Sequence, residues 1–311
     1  MAIVVVGAVF VDVKGFPEDL YLPTGRNAGS VEIVHGGVGR NVAEDIANVE
    51  LRPTFVSVVD ESAQGEEVLR KLQNHKVNTD YIRPVPDGLG MWLAVFDNTG
   101  DLAGSISKRP NLDPILDTLS EKGDEIIRNA DSIVIEVDIG KDIVKKVLDL
   151  AEKYQKPVFG VVGNMLIASE RRDLLQRMDC FVCNQQEAGI LFVTDYSDFE
   201  PEALCEDVAQ RLESANMNAI VVTMGSKGAA FANRRGEKGF FPAEHVKVRD
   251  TTGAGDAFCA GVAIGLTYDK TMRQSVEIGT RLAASVIKVS ENTCPRFRPR
   301  ELGLDMDVED E

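Results

Sequence analysis

The sequence predicts an α/β fold, a mostly parallel sheet covered by helices on both faces. Three observations predict it. Short β-rich runs alternate with helical segments along most of the chain. The helical segments carry apolar residues on one face, as Ile143, Val144, Val147, Leu148 and Ala151 do within 142–154. The composition, 44% hydrophobic and 27% charged over 311 residues, is that of a globular chain that buries a core in one large domain or two smaller ones.

A first buried strand is expected at 3–9, followed after a glycine turn by a helix at 39–49. A strand at 54–59 and an amphipathic helix at 63–75 come next. Strands at 132–137, 157–162, 180–183 and 219–223 alternate with the helix 142–154 and with a helix at 201–215, whose Pro201 suits a first turn. Residues 229–232 and 239–241 read as a hairpin joined by the polar run Asn233-Arg234-Arg235-Gly236. Cys259 to Leu266 reads as a buried helix, and 271–289 as a long one. Two segments, 11–34 and 91–107, break the alternation. The second has the turn chemistry of a β-hairpin, two apolar runs flanking Asp97-Asn98-Thr99-Gly100-Asp101. On its residues alone it is either an edge hairpin of the main sheet or part of a separate small sheet.

Charge narrows the function. With 34 Lys and Arg against 50 Asp and Glu the formal net charge is −16, and no basic run offers a patch for a phosphate backbone, so nucleic acid is not an expected partner. Any phosphate site must rest on local backbone donors, a metal ion and a few side chains. No stretch approaches the roughly 18 uninterrupted apolar residues of a membrane helix, and the apolar start lacks a basic leader. The expected location is the cytoplasm, away from any membrane. Cys180, Cys183, Cys205, Cys259 and Cys294 are an odd, scattered set, unlike a secreted disulfide framework. Cys180 and Cys183 form a CxxC without a second pair or nearby histidines, and buried free thiols are expected there rather than zinc.

The most informative run is Asp250-Thr251-Thr252-Gly253-Ala254-Gly255-Asp256-Ala257-Phe258. Gly253, Ala254 and Gly255 open a helix with unpaired backbone N–H groups, and these together with the helix dipole favour an anion. A carboxylate such as Asp256 in a first turn is often only a dipole partner. Three small residues before it, which let a ligand reach the backbone, favour a general base beside a bound phosphate.

This nonapeptide closely resembles the signature of the ribokinase-like (PfkB) carbohydrate and nucleoside kinase family, D-T-x-G-A/C-G-D-x-F. Two further elements lie in family order, Gly36-Gly37-Val38-Gly39-Arg40-Asn41 and Asn184-Gln185-Gln186-Glu187. The resemblance runs from Val4 to about Pro299. It implies a single three-layer α/β/α kinase domain over 1–300, with 11–34 and 91–107 forming a small β-sheet lid over the acceptor site, and leaves an acidic tail at 301–311. In several relatives the lid also makes a dimer contact, so a homodimer through the lid is a further expectation.

The resemblance also implies a division of labour. Asp12, at the end of the first strand, binds acceptor hydroxyls. Gly36 and Gly37 let the acceptor approach the backbone, and Asn41 presents an amide to it. Glu136, ending a strand, falls where open parallel sheets collect ligand contacts. On the nucleotide side Asn184 lies near phosphate, Glu187 organises hydrated Mg²⁺, and Thr223, Gly225, Lys227 and Gly228 form the T-x-G-x-x-G loop that lines the ATP site. Lys227 either touches phosphate or is an exposed turn lysine. Asp250 and Thr252 match positions that bind K⁺ in some relatives, with other ligands from the loop after Ile287. The implied cofactors are ATP and Mg²⁺, with K⁺ in some relatives, and the partner is a small sugar or nucleoside. A Walker loop and a dinucleotide fingerprint in its strand-turn-helix context are both missing, which excludes a dehydrogenase reading.

The acceptor is read from the Arg40-Asn41 pair and from residues 290–293, Ser-Glu-Asn-Thr, both most similar to pseudouridine kinases. Arg40 either reaches an acceptor's base or carboxylate, or pairs with Glu44 one turn on. Pseudouridine is therefore expected ahead of a free sugar or sugar acid of the ribose, fructose or 2-keto-3-deoxygluconate type. A catalytically idle metabolite binder would have lost the base or the glycines, and all are present.

Overall fold

The computed structural model describes residues 1–165, 172–289 and 291–304. The acidic run 305–311, read as a solvated tail, and Ser290 lie outside the described residues. Leu302 and Leu304 are buried, so the packed body runs on to Leu304, past the expected end of the domain.

Thirteen strands make two sheets among the described residues. In chain order they are β1 Ile3–Val6, β2 Phe10–Pro17, β3 Gly29–Gly36, β4 Thr54–Val59, β5 Ile82–Pro84, β6 Gly90–Phe96, β7 Leu102–Lys108, β8 Ser132–Glu136, β9 Val158–Val161, β10 Cys180–Asn184, β11 Ala219–Thr223, β12 Ala229–Asn233 and β13 Lys238–Phe241. The large sheet has nine strands in the order β13-β12-β11-β10-β9-β8-β1-β4-β5. Pairing is parallel from β11 through β5, and the expected hairpin supplies the antiparallel edge, β12 and β13. The chain winds outward in both directions from β1, which lies between β8 and β4. That reversal point is where open α/β sheets gather ligands.

The helices are α1 Val38–Asn48, α2 Ala63–Asn74, α3 Asp113–Arg128, α4 Lys141–Tyr154, α5 Arg172–Leu175, α6 Gln185–Phe192, α7 Pro201–Ser214, α8 Ala254–Thr267 and α9 Met272–Val286. Alternate strand residues point to opposite faces. Val4 and Val6 accordingly join one core with Ile115, Leu119 and Ile127 of α3, Val144 and Val147 of α4 and Leu204 and Val208 of α7. Ile3 and Val5 join the other with Val42 and Ile46 of α1, Val68 and Leu72 of α2, and α8 and α9. The result is the three-layer sandwich that the resemblance implies. Cys180 and Cys183 fall in different cores on opposite faces of β10, so the CxxC cannot close on one metal, and all five cysteines are buried and free.

The second sheet has four strands in the order β3-β2-β6-β7, a structure separate from the main sheet and not its edge. β2 pairs antiparallel with β3 and parallel with β6, and β7 closes the far side. Its strands extend the expected segments slightly, to 10–36 and 90–108. This corrects the placement of Asp12. The first strand stops at Val6 instead of running to residue 9, and Asp12 sits on β2, in the small sheet. Gly7 follows directly, and it packs so closely that a Cβ there would fall 2.6 Å from Gly39 Cα and 2.8 Å from Glu136 Oε2.

Candidate active site

One half of the candidate site forms where β1, β8 and α1 meet the small sheet. Gly37 caps α1 with φ of +96°, a conformation that costs a side chain strain. A Cβ on Gly36 would collide with the Asp12 carboxylate, so that glycine gives Asp12 its place. Asp12 is buried. Its Oδ2 accepts from Asn292 Nδ2 at 2.9 Å, and burial raises its pKa against the pull of Lys14 and Arg40. Glu136 is buried too, and its Oε2 accepts from the backbone N–H of Ala8 at 2.9 Å and of Gly39 at 3.1 Å. It thereby clamps the end of β1 to the start of α1. Burial, then repulsion from Asp138, raises its pKa.

Of the two readings of Arg40, the structure takes the internal one. The side chain is 1% exposed, and its guanidinium donates to Glu44, to the His35 carbonyl and to Asn41 Oδ1. Arg40 is not an open contact for an acceptor. Its bond to Oδ1 instead orients the Asn41 amide so that Nδ2 points away, and Nδ2 donates to Asp256 Oδ2 at 2.7 Å.

That contact joins two motifs 215 residues apart. Asp256 lies in the first turn of α8, behind Gly253, which caps the helix with φ of +82°. It is half-buried but closely surrounded by protein. Burial pushes its pKa up to about 7, opposed by the Asn41 bond and Arg40 and assisted by Asp12 and Glu187. The expectation of an unpaired N–H at Ala254 is corrected, because that N–H bonds back to the Thr251 carbonyl at 3.2 Å and closes the turn, which leaves the first-turn N–H groups of Gly255 and Asp256 after it at the helix start. A Cβ on Gly255 would meet nothing within 4 Å, so this turn faces open space. Asp250 Oδ1 accepts from Thr252 N at 2.8 Å and from Thr252 Oγ1 at 2.7 Å, while Oδ2 pairs with Lys14 Nζ at 2.8 Å. Burial works to raise the Asp250 pKa, but these bonds hold it below the usual carboxylate range.

A cavity of about 410 Å³ adjoins this turn, within the size range of small-molecule sites. Thr223, Gly225 and Gly228 line it as expected, with Thr251, Ala254 and Gly255 at one end and Val246, Phe258 and Ile287 supplying apolar wall. Lys227 does not line it. Its ammonium donates to the Phe199 carbonyl at 3.2 Å and to Glu200 Oε1 at 3.0 Å, so it is a turn lysine paired at the surface and not a phosphate contact. Asn184 and Glu187 form a reciprocal capping box at the start of α6, with Asn184 Oδ1 accepting from Glu187 N and Glu187 Oε2 accepting from Asn184 N. Burial and then the Asp138 carboxylate raise the Glu187 pKa.

Three residues of the site carry contacts that the sequence did not assign to them, although Asn292 lies in the run 290–293 that was read for the acceptor. Asn292 bonds to Asp12, Lys14 pairs with Asp250, and Asp138, two residues beyond Glu136, faces the same group of carboxylates. Asp138 had a visible signal, a second carboxylate past the end of an apolar strand. Lys14 is two residues from Asp12 on one strand and so shares its face.

A helix start open to solvent, a carboxylate of raised pKa held against the Asn41 amide, and an adjoining cavity are the features a phosphotransferase acting on a hydroxyl group requires. The chain belongs to the pfkB family of carbohydrate kinases, whose family model matches residues 2–295. It is 35% identical over 292 residues to guanosine-inosine kinase from Exiguobacterium acetylicum, covering 93% of this chain and 95% of that protein. It is 28% identical to pseudouridine kinase from Escherichia coli, covering 84% and 82%. Its fold is similar to that of ribokinase from Arabidopsis thaliana, solved with ribose and ATP, with a TM-score of 0.81 over 99% of this chain and all of that one at 22% identity.

Proposed function

We propose that this protein is an ATP-dependent kinase that transfers the γ-phosphate to a primary hydroxyl of a nucleoside, with Asp256 as general base. The observation that carries this reading is the 2.7 Å bond from Asn41 to Asp256, which brings the acceptor motif to the base at the mouth of the anion cradle. Asp256 takes the acceptor's proton. The Gly253 to Asp256 turn stabilises charge on the transferring group, and Asp12, Gly36, Gly37 and Asn41 hold the acceptor in line. The cavity beside Thr223, Gly225 and Gly228 takes the nucleotide.

Mg²⁺ fits Glu187. The Asp138 carboxylate raises the pKa of Glu187, and Glu187 in turn raises that of Asp256, so negative charge collects around Glu187. A hydrated cation held through its waters suits such a set, and when bound it neutralises charge on the phosphates. Similarity to a guanosine-inosine kinase and a pseudouridine kinase supports a nucleoside over a free sugar. The deciding experiment is ADP release with ATP and Mg²⁺ against guanosine, inosine, pseudouridine, ribose, fructose and 2-keto-3-deoxygluconate. Turnover on a nucleoside that Asp256→Asn loses is expected. Turnover confined to a sugar or sugar acid reassigns the acceptor, and nucleotide binding without any turnover favours the idle binder.

The resemblance to kinases with lid contacts, and an exposed apolar row of Ile33, Leu93 and Ile106 on the small sheet, support a homodimer through that sheet.

A further inference from the structure

Lys14 is a buried charge that no sequence motif announces. Its side chain is 1% exposed, on the strand that carries Asp12, and a buried ammonium is unfavourable unless it is paired. Its Nζ donates to Asp250 Oδ2 at 2.8 Å and to Asn292 Oδ1 at 3.3 Å. Both partners lead into the site. Asp250 closes the turn through Thr252 into Gly253, and Asn292 donates from its Nδ2 to Asp12 Oδ2 at 2.9 Å. The Asn292 carbonyl also lies so close to Gly253 that any Cβ there would collide with it. One ammonium thus ties the small sheet, the acceptor carboxylate and the start of α8 together.

These contacts bear on the monovalent cation that the family resemblance implies at Asp250 and Thr252. The residues do not fit it. Both Asp250 oxygens are engaged, one by the ammonium and one by Thr252, and a K⁺ ion beside Lys14 Nζ would meet a like charge at the oxygen it needs.

We propose that the Lys14 ammonium is a tethered cation that positions the Asp250 to Gly253 turn, so that phosphoryl transfer by this protein does not require K⁺. The proposal rests on the kinase reading above, and its test includes a readout that does not. For the wild type, ADP formation and melting temperature are compared in K⁺ and in tetramethylammonium at equal ionic strength. No difference in either is expected. Activation or thermal stabilisation of the wild type by K⁺ overturns the proposal.

The same comparison is made for Lys14→Gln, which removes the charge and leaves the Asp250 oxygen open. In tetramethylammonium this variant should lose about 10- to 100-fold in kcat, the range for loss of an outer partner. K⁺ should restore part of that loss and raise the variant's melting temperature. A variant as active as wild type without K⁺, or a loss that no monovalent cation reverses, excludes the tethered-cation role. If Lys14→Gln does not fold, the wild-type comparison decides. If no acceptor is phosphorylated, the kinase reading fails while the melting temperatures still report on Lys14.

Discussion

As the proposed general base, the Asp256 carboxyl sets both a rate and a stability. Its pKa, pushed up to about 7 by burial with Asp12 and Glu187 assisting, means that near neutrality the base is only partly ionised. A base works in its charged form, so kcat/KM should rise with pH through about 7 and then level off. The sign for folding is opposite. The unfolded aspartate ionises near 3.8, and the folded one resists ionisation until about 7, so this residue withdraws stability as pH climbs between those values. The withdrawal is complete above the folded value. Solvent contact at this half-buried group trims the effect. Asp256→Asn cannot ionise and still offers an oxygen to Asn41 Nδ2. It should lose about 10²- to 10⁴-fold in kcat and yet melt above the wild type at pH 8, the gap closing toward pH 4. A flat rate profile across pH 7, or a variant that melts lower at pH 8, removes this account of Asp256.

At the scale of elements, the start of α8 separates two glycines that look alike in sequence. Gly253 has φ of +82° and its missing Cβ makes room for the Asn292 carbonyl, whereas Gly255 is helical and its missing Cβ faces nothing. Gly253→Ala should therefore cost about 1–3 kcal/mol of stability by strain alone. Gly255→Ala should hold or gain about 0.5–1 kcal/mol, as alanine does in a helix, while its methyl group enters the cradle and kcat/KM falls. Melting curves and steady-state rates on the two variants separate these outcomes, and a destabilised but fully active Gly255→Ala contradicts the cradle. Such distinctions show where legibility ends. The alternation of buried strands with one-faced helices was readable because period and burial are local. The break at Gly7 was hidden inside a continuous apolar run, so Asp12 was read as ending the first strand although it lies in the lid segment 11–34. The helix α3 went unread between two strands although Ile115, Leu119, Ile126 and Ile127 line its buried face. Within the site, the motif residues Asn41 and Asp256 were legible and do meet. The burial of Lys14 was not, because it depends on Asp250, 236 residues away.

Across the whole molecule, the two faces of the small sheet divide its work. Asp12 and Lys14 of β2 face the body and are buried. The residues between them in register face outward, and at one level Ile33, Val13, Leu93 and Ile106 stand side by side across all four strands. Ile33 is 61% exposed and Ile106 72%, with Val31 and Leu93 also open to water. Two copies of a chain of formal charge −16 repel each other on the whole, and this uncharged row adds nothing to that repulsion where two copies meet. Apolar rows on an exposed sheet face of this kind mark contact surfaces. Pairing two such sheets would also hold each one steady above the Asp12 side of its own site, linking association to acceptor binding. The expected result in sedimentation equilibrium is a dimer, reduced to monomer by Ile33→Lys combined with Ile106→Lys, with the melting profile of the main body retained because both side chains are exposed. KM for the acceptor should rise more than KM for ATP in that variant, since the small sheet carries Asp12 and does not line the nucleotide cavity. A wild-type protein that is monomeric at micromolar concentration, or a charged variant that remains dimeric, places the contact elsewhere or nowhere.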